Sequence, residues 1–473
     1  MSGAVGLLMF GVALAAIVVT GLPVYAVLLA VAALFAALGV ATGAFDSALL
    51  GVLPLRLVGL LEHDLLQALP LYALIGALLN RLPLAATLHR AGSRLLARSA
   101  AAPELAALGV GALLAPMNGS VGASLYTLSR SVAPALVARG VSSERSVATL
   151  CIASTLGVVI PPSLVLLLLG DATMRAHTEA VNITRAAVRI VNTQDVMRAA
   201  LLPGLAVWLI AVVIALLRSR RSAPVAAAPL ARHEAVAAAV VALAIAGLLA
   251  GVAAGWFQAV EAAAAGGVAL WLSAMSVRRL DLATVRAVLH DTMTLTGALF
   301  ALLVGATSFS LVLRGWGTDR LLRDALLALS AHPLPMLLAV LAGIAACSFV
   351  LDAFEMVFLV IPLVMPPLLM VVDDAAWVAT LTLLVLQLGF LLPPLGYAVV
   401  MSRTVLDTKP GRRALALALA PQLAAQVLLV AAVLAFPALT HWGRNVDAAA
   451  VDPATADRLM QEAIDAQKAH PGL

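Results

Sequence analysis

Residues 156–162 read Leu-Gly-Val-Val-Ile-Pro-Pro, and residues 388–394 read Leu-Gly-Phe-Leu-Leu-Pro-Pro, a separation of 232 residues (388 minus 156). Further residues match at this separation: Gly111 with Gly343, Val132 with Val364, and Pro134 with Pro366. A single matching Leu or Val is expected by chance between two apolar helices. Two copies of this motif, with glycine and proline also matching at the same separation, indicate a duplication instead. Duplicated halves with matched helix-breaking positions are the sequence signature of many secondary transporters.

The composition is that of a membrane protein. Of the 473 residues, 63% are hydrophobic and 11% are charged, and the mean hydropathy is +1.07. A soluble domain cannot bury so much apolar surface. A hydrocarbon core about 30 Å thick takes roughly 20 apolar residues per helix, so the sequence predicts an all-α integral membrane protein with about a dozen helical segments. Residues 3–20 lack a basic leading segment and are expected to form the first membrane helix, not a signal peptide.

The basic residues lie in the connections between apolar runs. The net charge is +5 and the isoelectric point is about 9.7. This distribution is typical of membrane proteins that keep positive loops in the cytoplasm, and we expect no nucleic-acid partner. Cys151 and Cys347 lie in separate apolar segments without the spacing of a metal or redox motif, and the eight histidines do not cluster. No cofactor is predicted.

The two Pro-Pro pairs predict broken helices. A proline pair inside an apolar run removes two backbone donors and clashes with the preceding turn. In hydrocarbon such a break is tolerated only where protein or a water-filled cavity satisfies the backbone. Pro161-Pro162 and Pro393-Pro394 are therefore expected to mark unwound helices at a binding site, with Ser163 beside the first pair.

Two apolar stretches are too long for one crossing and predict re-entrant hairpins. The first, at about 104–138, contains Asn118, Gly119, Ser120 and Ser124 near its middle. The second, at about 335–370, contains Asp352 and Glu355, which share a helical face. Charge at membrane depth usually marks an ion or substrate path, although both carboxylates could instead be solvated at the interface. Thr155 and Gln387, each before one LGxxxPP copy, are either ligands or polar contacts between helices.

The predicted organisation has four parts. Residues 1–217 form the first repeat half, with scaffold helices, the hairpin at about 104–138 and a broken helix at about 146–170. Residues 218–234 form a basic cytoplasmic linker, residues 235–441 form the second half, with a broken helix at about 376–402, and residues 442–473 form a polar tail. A long polar connection is expected over 171–198.

Several stretches resemble, in order along the chain, the large permease subunit of the TRAP transporters, the DctM-like family. They are PLYALIGALL at 70–79, GALLAPMNGSVGAS at 111–124, LGVVIPPSLVLLLLG at 156–170 and GFLLPPLGY at 389–397. The Ile-Pro-Pro-Ser element at 160–163 is the most specific. Two departures stand out: only Glu-Ala-Ala-Ala at 261–264 remains of the family's Thr-Pro-Thr-Glu-Ala-Ala-Ala, and Asn118-Gly119-Ser120 replaces Ser-Gly-Ser.

The resemblance implies an elevator-type secondary transporter made of two inverted repeats, multi-pass in the bilayer of a bacterial inner membrane. It implies two protein partners, a small four-helix membrane subunit and a periplasmic substrate-binding protein. Na⁺ would drive uptake of a small organic anion of the carboxylate, dicarboxylate or 2-oxo acid class. Na⁺ is expected near Gly119, Ser120 and Asp352, where hairpin carbonyls and hydroxyls can replace its water shell.

Two alternatives to this reading stay open. The first is a carboxylate or anion carrier of related architecture that works without a binding protein. The second is a membrane enzyme, but Ser124 and Ser163 have no histidine near them in the sequence to act as a base. We therefore expect a transporter and not an enzyme.

Overall fold

The computed structural model describes residues 2–61, 66, 68–184, 191–219, 231–276, 281–328, 333–407 and 409–441. All regular secondary structure in these residues is helical, as predicted. Residues 220–230 of the predicted linker and the predicted tail at 442–473 lie outside the described residues.

The helices of the first half precede residue 220. They are α1 (Ser2–Thr20), α2 (Val24–Ala41), α3 (Leu53–Leu61), α4 (Ala68–Arg81), α5 (Leu84–Leu95), α6 (Ala102–Asn118), α7 (Val121–Ser131), α8 (Ala133–Ala138), α9 (Ser143–Val159), α10 (Leu164–Thr184) and α11 (Thr193–Ser219). A short 3₁₀ helix (Ser47–Val52) precedes α3.

The helices of the second half follow residue 230. They are α12 (Arg232–Ala254), α13 (Ala259–Ser276), α14 (Leu282–Gly315), α15 (Thr318–Leu327), α16 (Pro333–Cys347), α17 (Ala353–Glu355), α18 (Ile361–Leu369), α19 (Ala375–Leu391), α20 (Tyr397–Val405) and α21 (Arg412–Ala435). A π-helical turn (Met356–Val360) joins α17 to α18, and a 3₁₀ helix (Pro437–Thr440) follows α21.

Among the described residues, seven helical stretches are long and apolar enough to cross a membrane, or eight if the bent pair α4–α5 counts as one span. The chain bends by 66° between α4 and α5. The stretch from α9 to α10 is the most enclosed of these. In its apolar segment 89% of the residues are buried, compared with 22% in α1 and in α12. The α9–α10 stretch is therefore core, while α1 and α12 present apolar side chains outward, as lipid or a partner helix requires.

The positions at which helices begin and end repeat at the 232-residue separation that was seen in the sequence. α9 and α19 differ by 232 residues at both ends, and the Pro-Pro pair that follows each of them is in the cis form. α1 and α12, α2 and α13, and α6 and α16 start within a few residues of the same separation. The duplication thus extends from the LGxxxPP motif to the order of the helices.

Close helix contacts build the centre of the molecule. α9 and α19 contact each other, and hairpin helices α6 and α16 pack on α9 and α19 respectively. Glycine makes the α6–α9 contact short: a Cβ on Gly111 would lie 2.6 Å from the Ala153 carbonyl oxygen, and one on Gly157 would overlap the Ala115 carbonyl. Around this centre, α14 packs on α2 and α4.

The long polar connection expected over 171–198 is wrong for most of its length. α10 continues to Thr184, and α11 begins at Thr193. Buried Thr173 and His177 face inward on α10, whereas Arg175 and Glu179 lie on its partly exposed side. The polar residues thus belong to an amphipathic continuation of the helix and not to a loop.

Candidate functional site

The first hairpin turns at Gly119. α6 ends at Asn118, Gly119 adopts a left-handed conformation with φ of 72°, and α7 begins at Val121 after extended Ser120. Glycine is favoured here because the left-handed region is open to it without a Cβ penalty. The last carbonyls of α6 and the first N–H groups of α7 meet at this turn, and helix ends leave such groups without intrahelical partners.

Two side-chain oxygens next to this turn have no hydrogen-bond partner in the described part of the chain. They are Asn118 Oδ1 and Ser124 Oγ, and the two residues are 2% and 1% exposed. Asn118 lies against Gly76 of α4, where a Cβ would come within 3.6 Å of Oδ1. Buried oxygens without partners are costly unless a ligand or water satisfies them, so this turn has the properties of a binding site.

The second hairpin turns at Asp352, where both predicted carboxylates act in a capping box. Asp352 Oδ1 accepts a hydrogen bond from the Ala353 N–H at 2.6 Å, and Glu355 Oε2 accepts one from the Asp352 N–H at 2.8 Å. Each carboxylate keeps a second oxygen. Both residues are half-buried, so neither carboxylate is fully solvated.

Tyr397, the first residue of α20, lies beside the first hairpin. Its hydroxyl lies 3.3 Å from the position of a Cβ on Gly122 in the first hairpin. Tyr397 was not among the predicted site residues, although it closes the GFLLPPLGY motif and its place after the second helix break was a signal in the sequence. α10 contacts both hairpins: its residue Leu164 lies against Gly119, and α17, which begins directly after Asp352, also contacts α10.

The first Pro-Pro break lies beside the first hairpin turn. Pro161 and Pro162 are buried between α9 and α10, and Ser163 Oγ accepts a hydrogen bond from the Leu166 N–H at 3.1 Å. A Cβ on Gly119 would come within 3.0 Å of the Leu164 side chain, which places the hairpin turn against the start of α10. Ser163 therefore caps α10 at the point where the turn and the break meet.

The second Pro-Pro break is more open. Pro393 is half-buried and Pro394 is exposed, and both line a pocket of about 280 Å³ together with Arg403, Arg412 and Arg413. The two breaks thus match in sequence but differ in burial.

Thr155 and Gln387 contact each other between the two breaks. Gln387 Nε2 donates to Thr155 Oγ1 at 3.4 Å, and Gln387 Oε1 accepts from Gln426 Nε2 of α21 at 2.9 Å. Thr155 Oγ1 also donates to the Ile152 carbonyl at 2.9 Å. Their polar atoms are engaged in contacts between α9, α19 and α21, which favours the helix-contact alternative for this pair.

The structure therefore places most of the predicted site residues at the two hairpin turns and the first helix break. Asn118, Gly119, Ser120, Ser124 and Ser163 lie around the first turn and break, and Asp352 and Glu355 lie at the second turn, on the other hairpin that contacts α10. Polar turns between broken helices, with oxygens left for a ligand, suit the binding of a small charged solute.

Comparison with known proteins agrees with this arrangement. Residues 11–439 match the DctM component of the Tripartite ATP-independent periplasmic transporters. The chain belongs to the DctM family. It is a multi-pass membrane protein of a transporter family, so the expectation of a permease instead of an enzyme is confirmed.

Known proteins similar to this DctM chain include a sequence relative and a solved structure. The sialic acid TRAP transporter large permease protein SiaM of Vibrio cholerae is 25% identical over 194 residues, which are 41% of this chain and 45% of that protein. The alignment thus spans less than half of the relative's length. The crystal structure of the Alcanivorax borkumensis YdaH transporter superimposes with a TM-score of 0.52 at 16% identity, covering 84% of this chain and 90% of that one. This likeness supports the fold alone.

Proposed function

We propose that this chain is the permease subunit of a tripartite, binding-protein-dependent secondary transporter that couples Na⁺ to uptake of a small organic anion. The observation that carries the proposal is a pair of buried oxygens beside a helix break, Asn118 Oδ1 and Ser124 Oγ, which have no hydrogen-bond partner among the described residues. Family membership supports the tripartite assembly, and the Vibrio cholerae relative, named for an organic acid, supports an anionic solute of the carboxylate, dicarboxylate or 2-oxo acid class.

The oxygens at the hairpin turns suit Na⁺. Carbonyl, amide and hydroxyl oxygens can replace the water shell of a hard cation, and broken helices supply such groups within an apolar protein. We place Na⁺ near Gly119 and Ser120, with Asp352 serving the second hairpin. A cation held there would also lower the free energy needed to bring an anion into a low-dielectric layer.

The proposed movement is an elevator. The central helices, α6–α11 and α16–α21, would carry the site past a scaffold of α1–α5 and α12–α15. The matched helix bounds support two repeats with a boundary in the 218–234 linker, and we propose that they are inverted. The outward apolar side chains of α1, α12 and α13 would face lipid of the inner membrane and a small four-helix subunit.

The proposal is tested by uptake into proteoliposomes. The full chain, its small subunit and its binding protein would be reconstituted with and without an inward Na⁺ gradient, using radiolabelled succinate, pyruvate and N-acetylneuraminate. We expect uptake of at least one solute that requires both Na⁺ and the binding protein. Uptake by the chain without the binding protein would assign it to the binding-protein-independent carriers.

A variant connects the activity to the first hairpin. Ser120→Ala removes one hydroxyl at the turn, and we expect it to raise the Na⁺ concentration needed for half-maximal uptake. Ser273→Ala on α13 is the matched control, because the Ser273 hydroxyl bonds only to its own helix at the Leu270 carbonyl among the described contacts. Equal Na⁺ dependence in both variants would remove the first turn from the proposed cation site.

A further inference from the structure

Two buried glutamines interrupt the apolar sequence of α21. From residue 414 to residue 435 they are the only polar residues of this helix, and they lie four residues apart on one face. Gln422 is 1% exposed and Gln426 is 0% exposed. Both amide atoms of Gln422 and the Oε1 atom of Gln426 have no hydrogen-bond partner among the described residues. Burying such groups unpaired is unfavourable, so this face of α21 has the properties of a site for a small polar ligand.

Hydrogen bonds between α19 and α21 place Gln422 at the second Pro-Pro break. Trp377 Nε1 donates to the Val433 carbonyl at 2.8 Å, and Gln426 Nε2 donates to the Leu384 carbonyl at 3.4 Å. Residue numbers therefore rise along α19 while they fall along α21, and the two helices are antiparallel. Gln422 lies one turn before Gln426, level with the last turn of α19, which ends directly before the break.

The last turn of α19 lacks hydrogen-bond donors. Carbonyl groups at the end of a helix have no intrahelical partner. The Phe390 carbonyl is three residues before Pro393 and four before Pro394, and proline has no N–H to donate. In an apolar layer a broken helix is tolerated only where protein groups or water supply the missing hydrogen bonds. Gln422 brings an unused NH₂ group to the level of this break.

The equivalent position of the first repeat is closed by backbone. α11 and α21 each follow the broken helix of their repeat, α11 contacts α9, and α21 contacts α19. Pro-Gly-Leu-Ala at 203–206 matches Pro-Gln-Leu-Ala at 421–424, which makes Gly204 the equivalent of Gln422. A Cβ on Gly204 would overlap the carbonyl oxygen of Val159, the last residue of α9. The first repeat thus has a direct contact where the second has a buried amide.

Water is the ligand that fits the unpaired groups of the second repeat. Gln422 offers both a donor and an acceptor, and Gln426 offers a second acceptor. A cation would satisfy the two amide oxygens but not the NH₂ group, whereas water both donates and accepts. A pocket of about 280 Å³ at the same break, lined by Pro394 and by Leu415 of α21, provides space for solvent nearby.

We propose that Gln422 and Gln426 bind an ordered water at the end of α19, and that this water supplies hydrogen bonds missing at the second Pro-Pro break. The water extends the buried polar row that joins Thr155, Gln387 and Gln426 across α9, α19 and α21. The first break needs no such water because α11 packs directly on the end of α9. The proposal does not depend on which solute or ion the chain transports.

The site can be tested by cryo-electron microscopy of the full chain in nanodiscs, bound to a rigid antibody fragment, at a resolution that shows ordered water. Maps would be obtained in sodium chloride and in choline chloride. In both salts we expect density at about 2.7–3.2 Å from Gln426 Oε1 and from an amide atom of Gln422. We expect no density between Gly204 and the end of α9.

Two results would overturn the proposal. A direct hydrogen bond between the Gln422 and Gln426 amides, with no density beside them, would show a dry pair. Density that appears in sodium chloride and disappears in choline chloride would show a cation instead of water. Neither result would bear on solute uptake, so failure of the water site is distinguishable from failure of the proposed function.

Gln422→Met provides a second measurement, because methionine has a similar length but no amide group. We expect the density to be lost and the Tm in detergent to fall, since Gln426 Oε1 and the end of α19 lose their water. If the site were dry, removing the unpaired amide would leave the Tm unchanged or raise it. Gln258→Met, at an exposed position directly before α13, is the matched control and should leave the Tm unchanged.

Discussion

Thr155 and Gln387 occupy equivalent positions in the two repeats, 232 residues apart, and hydrogen bond to each other. When equivalent residues of two repeats touch, the axis that relates the repeats passes close to their contact. Both side chains are fully buried, and each precedes its Pro-Pro break by the same number of residues. The contact therefore holds the two broken helices together at the centre of the molecule.

This contact predicts a measurable coupling between Thr155 and Gln387. Hydrogen bonds between helices in membrane proteins contribute about 0.6 kcal/mol on average. We expect Thr155→Val and Gln387→Leu to show a coupling of that order in a double-mutant cycle on the free energy of unfolding in mixed micelles. Strictly additive effects would mean that the two side chains do not interact. Thr184→Val, at an exposed position of α10, serves as the partner for a control cycle with Gln387→Leu.

The repeat also provides a matched pair of glycine substitutions. Gly111→Ala should destabilise the chain by about 1–3 kcal/mol, because the added methyl group meets the backbone of Ala153. Its equivalent, Gly343, has no atom within 4 Å of the new Cβ. Gly343→Ala should therefore be neutral or slightly stabilising, since Ala is the better helix former by about 1 kcal/mol. Thermal unfolding in detergent compares the two, and equal losses would contradict the close α6–α9 contact.

A buried ion pair at the base of the first hairpin predicts a stability effect. Glu104 is 3% exposed and accepts hydrogen bonds from Arg145 and, at 3.2 Å, from the Ser219 hydroxyl, so it joins α6 to α9 and α11. Arg145→Met would leave the carboxylate buried without its charge partner, and breaking such a pair costs about 3–5 kcal/mol. We expect denaturant midpoints to show this loss.

Two further variants test whether the unpaired charge of Glu104 causes the loss of stability in Arg145→Met. Adding Glu104→Gln to Arg145→Met should recover part of the lost stability, because the remaining side chain is neutral. Arg323→Met, at the partly exposed Asp319–Arg323 pair, should change the free energy of unfolding by no more than about 1 kcal/mol. A double variant less stable than Arg145→Met would show that the charge is not the cause.

A substitution at Asp352 can separate the helix-capping role of the side chain from the effect of its charge. Asparagine caps helices as well as aspartate does, so Asp352→Asn should fold normally while losing the carboxylate. If the charge contributes about 1.4 kcal/mol to cation binding, the affinity for Na⁺ in uptake falls about tenfold. Asp46→Asn is the control, because Asp46 caps the 3₁₀ helix Ser47–Val52 at an exposed position. Wild-type Na⁺ dependence in Asp352→Asn would limit Asp352 to capping.

Local backbone chemistry made several features predictable. Gly119 and the two Pro-Pro pairs constrain the chain whatever surrounds them, so the hairpin turn and the broken helices were evident from residue type. The connection at 171–198 was predicted wrongly because its charged residues resemble a loop in composition. Of these, Asp171, Arg175 and Glu179 lie on one side of α10, and only the neighbouring helices show which side of that helix is buried.

By itself, the sequence determined that the protein is helical, lies in a membrane, is duplicated and belongs to the DctM-like permeases, since composition, breakers and motifs are properties of the chain. Only the tertiary structure decided that Asn118 and Ser124 keep oxygens without partners among the described residues, that Thr155 and Gln387 contact each other, and that Glu104 is buried beside Arg145. The physical reason is that partnering, burial and local charge depend on contacts between residues far apart in the chain.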